Sequence, residues 1–327
     1  MPLQPHTHRA SATRGFTLIE LVFVLIVISV MAAILIPGLL AATSKARRIR
    51  CANSMYQVSL ALQNYHDTYG TLPPAWICDQ RDQEDPQWGW NTLLLGNLEQ
   101  SALYDAIQPG PNPITALFNL GPTGTDWLST RVSTFECSAG QTDDRHPSRR
   151  FGRDVDAPRG WKAPVTNYVA NVGFFCRSAD YRNHGVMFGN SRVPLHDIPD
   201  GTSSTFLFGE RDSLGGGATW IGVADPQAPD ADGFGWVGGI VSVPMNCLTI
   251  EGCRDQGFAS QHPGGSQFAF CDGSIRFISE TVDFTNGPAN RFDSTSDTLL
   301  TEAEKSQLGV YQQLGIRNDN RPILETP

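Results

Sequence analysis

The stretch Arg14-Gly15-Phe16-Thr17-Leu18-Ile19-Glu20, followed by a run without any charge over residues 21–44, decides the fold of this chain. A helix rises about 1.5 Å per residue, so about 20 apolar residues cross a hydrocarbon core of roughly 30 Å. The stretch therefore predicts a membrane-spanning helix at about residues 18–42. Glu20 lies at its start, where a carboxylate costs roughly 2.5 kcal/mol or more on insertion scales, which marks it as a functional residue.

Three interpretations compete for this stretch: an ordinary single-pass anchor, a secretory signal peptide and a specific processing signal. A signal peptide has a shorter apolar core and ends in a small-x-small cleavage site, and neither feature fits here. The third interpretation rests on a short basic leader that ends in Gly15, an aromatic Phe16, and a glutamate, Glu20, at the fifth place after the glycine. This pattern resembles the prepilin cleavage and N-methylation signal of type IV pilins and type II secretion pseudopilins.

The resemblance implies that residues 1–15 are a leader and that a prepilin peptidase/N-methyltransferase cuts between Gly15 and Phe16 and methylates the new amine of Phe16. It also implies that Glu20 pairs with the N-terminal amine of a neighbouring pilin or pseudopilin subunit, since a buried carboxylate needs a cationic partner. Pro37 matches the place where the helix of these proteins commonly bends or melts, because proline removes an N–H and clashes with the preceding turn.

The composition describes a globular protein. The 327 residues are 40% hydrophobic and 17% charged, and the formal net charge is −9. This length allows one large or two ordinary domains, and so acidic a chain is a poor nucleic-acid binder, so we expect no nucleic-acid partner. The 32 glycines and 22 prolines indicate many turns and short strands.

Seven cysteines indicate an oxidising compartment. Their number is odd, so at least one is free or bonded between chains. Cys247 and Cys253 would close a short loop and are the best single candidate pair, although several cysteines can equally be small buried apolar residues. A zinc site is less expected, because the chain has no Cys-x-x-Cys and its spacings match no standard framework.

The charges around the predicted span conflict with the processing signal. Four basic residues, Lys45, Arg47, Arg48 and Arg50, follow the span, and the positive-inside rule alone would place the carboxyl-terminal domain in the cytoplasm. The processing signal requires the leader to be inside, and the cysteines favour an oxidising side. We therefore predict a single-pass protein of the bacterial inner membrane, with its domain outside the cytoplasm and in a periplasmic or surface filament after assembly.

Apolar residues at helical spacing continue to Tyr69, before Gly70 and Pro73-Pro74. The pattern predicts one long helix over residues 16–70, the alternative being a membrane helix followed by a separate second helix. Residues 71–327 then form a β-rich domain on an antiparallel sheet that ends in a short helix near 302–314, with a capping box of Thr301 and Glu304. The candidate strands are residues 131–137, 167–174, 186–189, 205–209, 219–223, 235–243, 257–261, 267–271 and 274–278.

The last two candidate strands predict a hairpin. Asp272-Gly273 is a two-residue turn that fits a hairpin, and it would set Phe270 opposite Ile275 and Phe268 opposite Phe277.

Several segments carry a second resemblance. They are Asn64-Tyr65-His66-Asp67-Thr68-Tyr69-Gly70 with Leu72-Pro73-Pro74, Leu98-Glu99-Gln100-Ser101-Ala102-Leu103-Tyr104, and Asp200-Gly201-Thr202-Ser203-Ser204-Thr205 ending in Gly209-Glu210. Together they resemble a large bacterial family of pilin-like proteins, whose domain of unknown function ends in a His, nine residues, then Asp-Gly. Here that motif is His262 with Asp272-Gly273. The chain departs from the family at Cys137-Ser138-Ala139-Gly140, where Cys-Pro-Ser-Asp is usual.

The motif residues do not suit catalysis. His262 and Asp272 would lie at opposite ends of one strand, roughly 20 Å apart, whereas acid–base partners must reach one substrate. We expect His262 to brace a glycine-rich turn and Asp272 to supply turn geometry. Asp225, Asp230 and Asp232 are weak candidates for calcium, because oxygen-rich loops suit that cation but the EF-hand spacing is incomplete. No cofactor is expected.

These observations predict an α/β (α+β) pilin-like subunit with a long N-terminal helix and a domain on an antiparallel sheet. The expected function is structural, in a pseudopilus or type IV pilus-like filament. The alternative is a membrane-tethered extracytoplasmic binding module that does not polymerise, and an enzyme comes third, since no standard catalytic motif is present.

Overall fold

The computed structural model describes residues 16–77, 86–110, 113–140, 161, 163–174, 183–213, 217–224, 233–247, 255–285 and 300–319. The chain divides into two compact units, Met1–Ala46 and Arg47–Pro327. Each unit is described by itself.

Helix α1 spans Leu18–Tyr69 and is assigned as one uninterrupted helix, with Pro37 inside it. It ends at Gly70, whose φ of +76° lies in the left-handed region that glycine adopts without strain. Among the described residues, α1 is the helix that is long and apolar enough to cross a membrane. We call residues 18–46 its amino-terminal half and residues 47–69 its carboxyl-terminal half.

The second unit continues with short helices and strands. The helices are α2 Trp90–Leu93, α3 Ser101–Ile107, α4 Ile114–Asn119, α5 Pro122–Leu128, α6 Glu302–Lys305 and α7 Val310–Leu314. The strands are β1 Gln87–Trp88, β2 Val165–Thr166, β3 Tyr168–Gly173, β4 Phe206–Glu210, β5 Ala218–Thr219, β6 Gly222–Val223, β7 Gly238–Ile240, β8 Gly265–Phe270 and β9 Ile275–Ser279. Single 3₁₀ turns lie at Leu95–Leu98, Ser133–Phe135, Leu195–Asp197, Thr202–Ser204 and Phe234–Trp236.

The main sheet has five strands in the order β7-β3-β4-β8-β9, and β1 with β6 and β2 with β5 form two small separate pairs. The predicted α+β class is confirmed, but the sheet is mixed, because β7 runs parallel to β3. The antiparallel strand β4 lies between β3 and β7 in the chain and returns it to the end of the sheet where β7 begins.

Three of the predicted strands are wrong, and two are only partly right: residues 219–223 divide into β5 and β6, and only Gly238–Ile240 of residues 235–243 is a strand. Residues 131–137 contain a 3₁₀ turn, Ser133–Phe135, and residues 186–189 and 257–261 are not strands in the described structure. At Phe135 the backbone N–H donates to the carbonyl of Val132, three residues earlier. This local hydrogen bond forms a turn in place of the hydrogen bonds to a neighbouring strand that the prediction requires. The predicted helix near 302–314 is split into α6 and α7 by the segment up to Gly309, while the capping box of Thr301 and Glu304 is present.

The hairpin of β8 and β9 exists, but its predicted register is wrong by one residue. Ala269 lies opposite Ile275, and Phe268 lies opposite Arg276. The loop has three residues, because the N–H of Phe270 donates to the carbonyl of Ser274 at 2.9 Å. Gly273 is in the left-handed region with φ +88°, as a three-residue hairpin loop requires.

The register decides which side chains meet on each face of the sheet. One face packs Phe206, Phe268 and Phe270 against Tyr311 of α7. The other face packs against a stripe of α1 formed by Cys51, Met55, Val58, Ala61 and Leu62, each at most 1% exposed. The sheet is therefore buried on both sides, as expected for a layered α+β domain.

Polar contacts fix the carboxyl-terminal half of α1 on the sheet. Gln63 donates from Nε2 to the carbonyl of Cys271 at 3.1 Å, and Gln267 donates from Nε2 to the carbonyl of Arg48 at 3.0 Å. The guanidinium of Arg48 lies 3.4 Å from the centre of the Phe277 ring. These contacts hold the helix in one register against strands β8 and β9.

Candidate functional site

The first candidate site is the start of α1, where Thr17 and Glu20 form a capping box. Glu20 Oε2 accepts from the backbone N–H of Thr17 at 2.9 Å and from its Oγ1 at 2.8 Å, and the N–H of Glu20 donates to Thr17 Oγ1 at 3.4 Å. This arrangement satisfies N–H groups that the first turn of a helix leaves without partners. Glu20 thus has a local partner within its own chain.

The amino-terminal half of α1 exposes apolar side chains around its whole circumference. Its large apolar side chains between Leu18 and Leu40 are 42% to 81% exposed, and Phe16 is 77% exposed. Glu20 is the one ionisable side chain between Phe16 and Ser44. A helix that is apolar on all sides needs lipid or other helices around it. Gly15 lies outside the described residues.

The second candidate site surrounds the His262 motif residue. His262 is buried, and its Nε2 lies 3.4 Å from Glu210 Oε1 and 3.5 Å from Cys137 Sγ. Its backbone carbonyl accepts from Gly265 at 3.5 Å, so its main chain closes the glycine-rich turn while its side chain points into the domain. These side-chain contacts were not predicted from the sequence.

Asp272 and Gly273 lie at the other end of β8 and serve the hairpin loop. Asp272 Oδ1 accepts from the N–H and the hydroxyl of Ser274 at 2.9 and 2.6 Å, and its Oδ2 lies 3.4 Å from Arg276. The contacts of Asp272 and those of His262 have no residue in common. The motif therefore marks both ends of one strand and brings no acid–base pair together.

A disulfide joins Cys51 of α1 to Cys137, 86 residues later in the chain. Four buried residues, Cys51, Cys137, Glu210 and His262, each offer one atom that can bind a metal, and these atoms all lie within 4.8 Å of one another. We call these four residues the buried cluster. β4 ends at Glu210, α1 supplies Cys51, and Cys137 and His262 lie in segments outside the helices and strands. Sequence reasoning identified only His262 among them.

Hydrogen bonds occupy one side of the Glu210 carboxylate. Its Oε2 accepts from the N–H of Gln267 at 2.9 Å and from the hydroxyl of Ser266 at 3.3 Å. Its Oε1 is buried and accepts no hydrogen bond from the described residues. His262 Nε2 lies 3.4 Å from this oxygen, close enough for an ion pair, but the two groups are not aligned for a hydrogen bond. A buried carboxylate oxygen without a donor or cation lowers the stability of the fold, because it has lost its hydrogen bonds to water.

The remaining cysteines and acidic candidates are only partly described. Cys271 is a free buried thiol, and burial raises its pKa. Cys247 is disulfide-bonded, but its partner and Cys253 lie outside the described residues, so the Cys247–Cys253 pair stays a prediction. The calcium candidates Asp225, Asp230 and Asp232 also lie outside the described residues.

Comparisons with known proteins match both parts of the chain. Residues 41–285 match a family described as "Protein of unknown function (DUF1559)", and residues 11–36 match the "Prokaryotic N-terminal methylation motif". The type II secretion system core protein G of Klebsiella pneumoniae is 27% identical over 121 residues, which are 34% of this chain and 86% of that protein. No solved structure matches the chain.

Proposed function

The chain belongs to the family described as "Protein of unknown function (DUF1559)", and we propose that it is a structural subunit of a pseudopilus or type IV pilus-like filament. The observation that carries the proposal is the amino-terminal half of α1, a helix that exposes apolar side chains on all sides and has a single carboxylate, Glu20, at its start. The prepilin-type motif and the similarity to a type II secretion pseudopilin support the same function and point to structural proteins.

Processing is the first part of the proposal. A prepilin peptidase/N-methyltransferase removes residues 1–15 at the Gly15–Phe16 bond and methylates the new amine of Phe16. Both residues lie within the matched methylation motif. The mature chain then begins one residue before Thr17, the residue that caps α1.

Assembly through Glu20 is the second part. In a filament, neighbouring subunits are offset along the axis, so the Phe16 amine of one subunit can reach Glu20 of another. Removing one partner of such a pair in apolar surroundings leaves a buried unpaired charge, which costs on the order of 3–5 kcal/mol. At about 1.4 kcal/mol per decade, that is two to four decades in association.

Location follows from the same features. The exposed apolar helix serves as a single span in the inner membrane, and the second unit lies outside the cytoplasm. The disulfide of Cys51 and Cys137 supports an oxidising compartment for that unit. Other pilin-type subunits and the processing enzyme are the proposed partners.

The capping box determines how the assembly step must be tested. Glu20→Ala would remove both the charge and the cap, so a loss of assembly would have two explanations. Glu20→Gln keeps the cap, because glutamine can replace glutamate in a capping box, and removes only the charge. Thr17→Val is the matched control, because it removes the hydroxyl contact and keeps the carboxylate.

The measurement is crosslinking of subunits in the cell envelope at equal abundance. We expect Glu20→Gln to insert and be cleaved normally but to lose crosslinked species by at least a hundredfold, while Thr17→Val stays within a few fold of wild type. Equal crosslinking of Glu20→Gln and wild type would contradict the filament.

That contradictory result would instead support the membrane-tethered binding module. The capping box is the observation that favours this second candidate, since it gives Glu20 a use that needs no neighbouring subunit. Mass spectrometry of the membrane-extracted protein tests the processing step separately. An amino terminus at N-methylated Phe16 is expected, and an intact leader would exclude processing.

A further inference from the structure

We propose that the buried cluster of Cys51, Cys137, Glu210 and His262 is a zinc-binding site that forms when the disulfide between the two cysteines is reduced. The proposal does not depend on filament assembly. It concerns the second unit alone, where all four residues are described and buried.

The distances within the cluster suit a tetrahedral ion. Zinc bonds of about 2.0–2.3 Å to nitrogen, oxygen and sulfur place neighbouring ligand atoms of a tetrahedron about 3.3–3.8 Å apart. His262 Nε2 already lies 3.4 Å from Glu210 Oε1 and 3.5 Å from Cys137 Sγ. The imidazole and the carboxylate are therefore already spaced as ligands of one ion, and only the two sulfurs must separate.

The free oxygen of Glu210 is the independent sign of a ligand. The Glu210 side chain is 2% exposed, and its Oε1 has no hydrogen-bond donor among the described residues while its Oε2 accepts two. Oε1 lies 3.4 Å from His262 Nε2. A buried carboxylate needs a cation or donors, and an ion at the centre of the cluster provides the missing partner.

The chemistry of the donors selects the metal. Thiolate, imidazole and carboxylate are each ligands that zinc binds, whereas calcium and magnesium prefer sites made of oxygen alone. Four protein ligands close a tetrahedral shell and leave no position for water or substrate. The ion would accordingly have a structural role.

The two states of the cluster exclude each other. A dithiol reductant transfers two electrons and two protons to the disulfide, which gives the two thiols of Cys51 and Cys137 and the disulfide of the reductant. Zinc then binds both sulfurs as thiolates and releases their two protons. Each state joins the same residue of α1 to the same turn, so α1 stays attached to the sheet in both.

The test uses the full chain in detergent micelles, reduced with a phosphine, with Co²⁺ as the spectroscopic probe and Zn²⁺ as its competitor. We expect the reduced chain to bind one equivalent of Co²⁺, with the visible bands of a tetrahedral ion and a thiolate charge-transfer band. Zinc should displace it. The oxidised chain should show neither band.

Variants identify the ligands. Loss of the outer partners of a metal site already costs about 10–100-fold in affinity, so Cys137→Ser, His262→Ala and Glu210→Gln should each weaken binding at least about a hundredfold. Cys271→Ser is the control and should bind as wild type, because Cys271 is a free thiol outside the cluster.

Three results would overturn the site: no Co²⁺ binding by a reduced chain that keeps its near-ultraviolet circular dichroism, unchanged affinity after His262→Ala, or equal binding by the oxidised chain. If reduction unfolds the chain, Zn²⁺ must restore the fold of wild type and not that of His262→Ala. Failure to do so would equally exclude the site.

Discussion

The two halves of α1 belong to one helix but have different surroundings. Between Leu18 and Leu40 its large apolar side chains are all at least 42% exposed, whereas Cys51, Met55 and Leu62 in the other half are at most 1% exposed. The first half is apolar on every side, and the second carries one apolar stripe. A helix apolar on every side requires partners outside the chain, and a striped helix finds its partner in its own domain.

The largest expected effect compares the same substitution in both halves. Leu62→Ala removes a fully buried side chain and should destabilise the second unit by about 2–5 kcal/mol. Leu25→Ala changes a side chain that is 53% exposed and should alter the unfolding of that unit by less than about 0.5 kcal/mol. Denaturant unfolding in micelles, followed by tryptophan fluorescence, measures both. A similar loss from Leu25→Ala would remove the contrast between the halves.

The disulfide should give the next effect, because it joins only the carboxyl-terminal half to the domain. Its two cysteines are 86 residues apart in the chain. Disulfides typically contribute about 2–4 kcal/mol. Cys51→Ser, Cys137→Ser and the double variant should lose similar amounts in buffer with a chelator, because all three lack the same bond. Membrane insertion should not change. If the double variant instead lost the sum of the two single losses in free energy of unfolding, each cysteine would contribute to stability independently of the disulfide.

The amino-terminal half of α1 was predictable because its signals are local. Its uninterrupted apolar run is visible in consecutive residues of the sequence. The stop of α1 before Gly70, in the other half, is a local signal of the same kind. The capping of Glu20 by Thr17 could also have been found, because Thr-x-x-Glu before an apolar run is the capping-box pattern. The sequence reasoning interpreted Glu20 only as a partner for another subunit and missed this.

The second unit was less predictable because its features depend on distant contacts. The buried cluster combines residues 51, 137, 210 and 262, and the spacing rules for zinc sites cover only ligands close in sequence. The parallel pairing of β7 joins it to β3, and three other strands lie between the two in the chain, so no local pattern indicates this pairing. The hairpin register depended on the length of one loop, and a single extra residue moved Arg276 opposite Phe268.

The third effect is a pH dependence that belongs to the second unit. Burial lowers the pKa of His184 from its ordinary value of 6.5 to about 4. Its Nε2 accepts from the N–H of Leu300 at 3.2 Å, which requires a neutral ring nitrogen. As pH falls, His184 is protonated in the unfolded chain before it is protonated in the folded chain. The contribution of neutral His184 to the free energy of unfolding is therefore complete above pH 6.5 and is lost as pH falls towards 4.

The expected size of that loss is about 2–3 kcal/mol between pH 7 and pH 4.5, from the conversion of about 1.4 kcal/mol per pKa unit. His184→Gln keeps a possible acceptor and removes the titration. Unfolding of wild type and His184→Gln at both pH values isolates the contribution of this residue from that of the carboxylates. An identical pH dependence in the two proteins would show that His184 does not titrate in this range.

The smallest effect concerns the first turn of α1. Thr17→Val removes the hydroxyl that both donates to Glu20 Oε2 and accepts from the N–H of Glu20. Loss of such a cap costs about 1 kcal/mol, or roughly fivefold in a local opening equilibrium. We therefore expect the amide of Glu20 to exchange about fivefold faster with deuterium in micelles, while the unfolding of the second unit and the exchange of the amide of Leu62 stay unchanged. The effect should be local, because Thr17 and Leu62 belong to the two different units. Faster exchange at Leu62 would show that the two halves of α1 are coupled and do not respond separately to their surroundings.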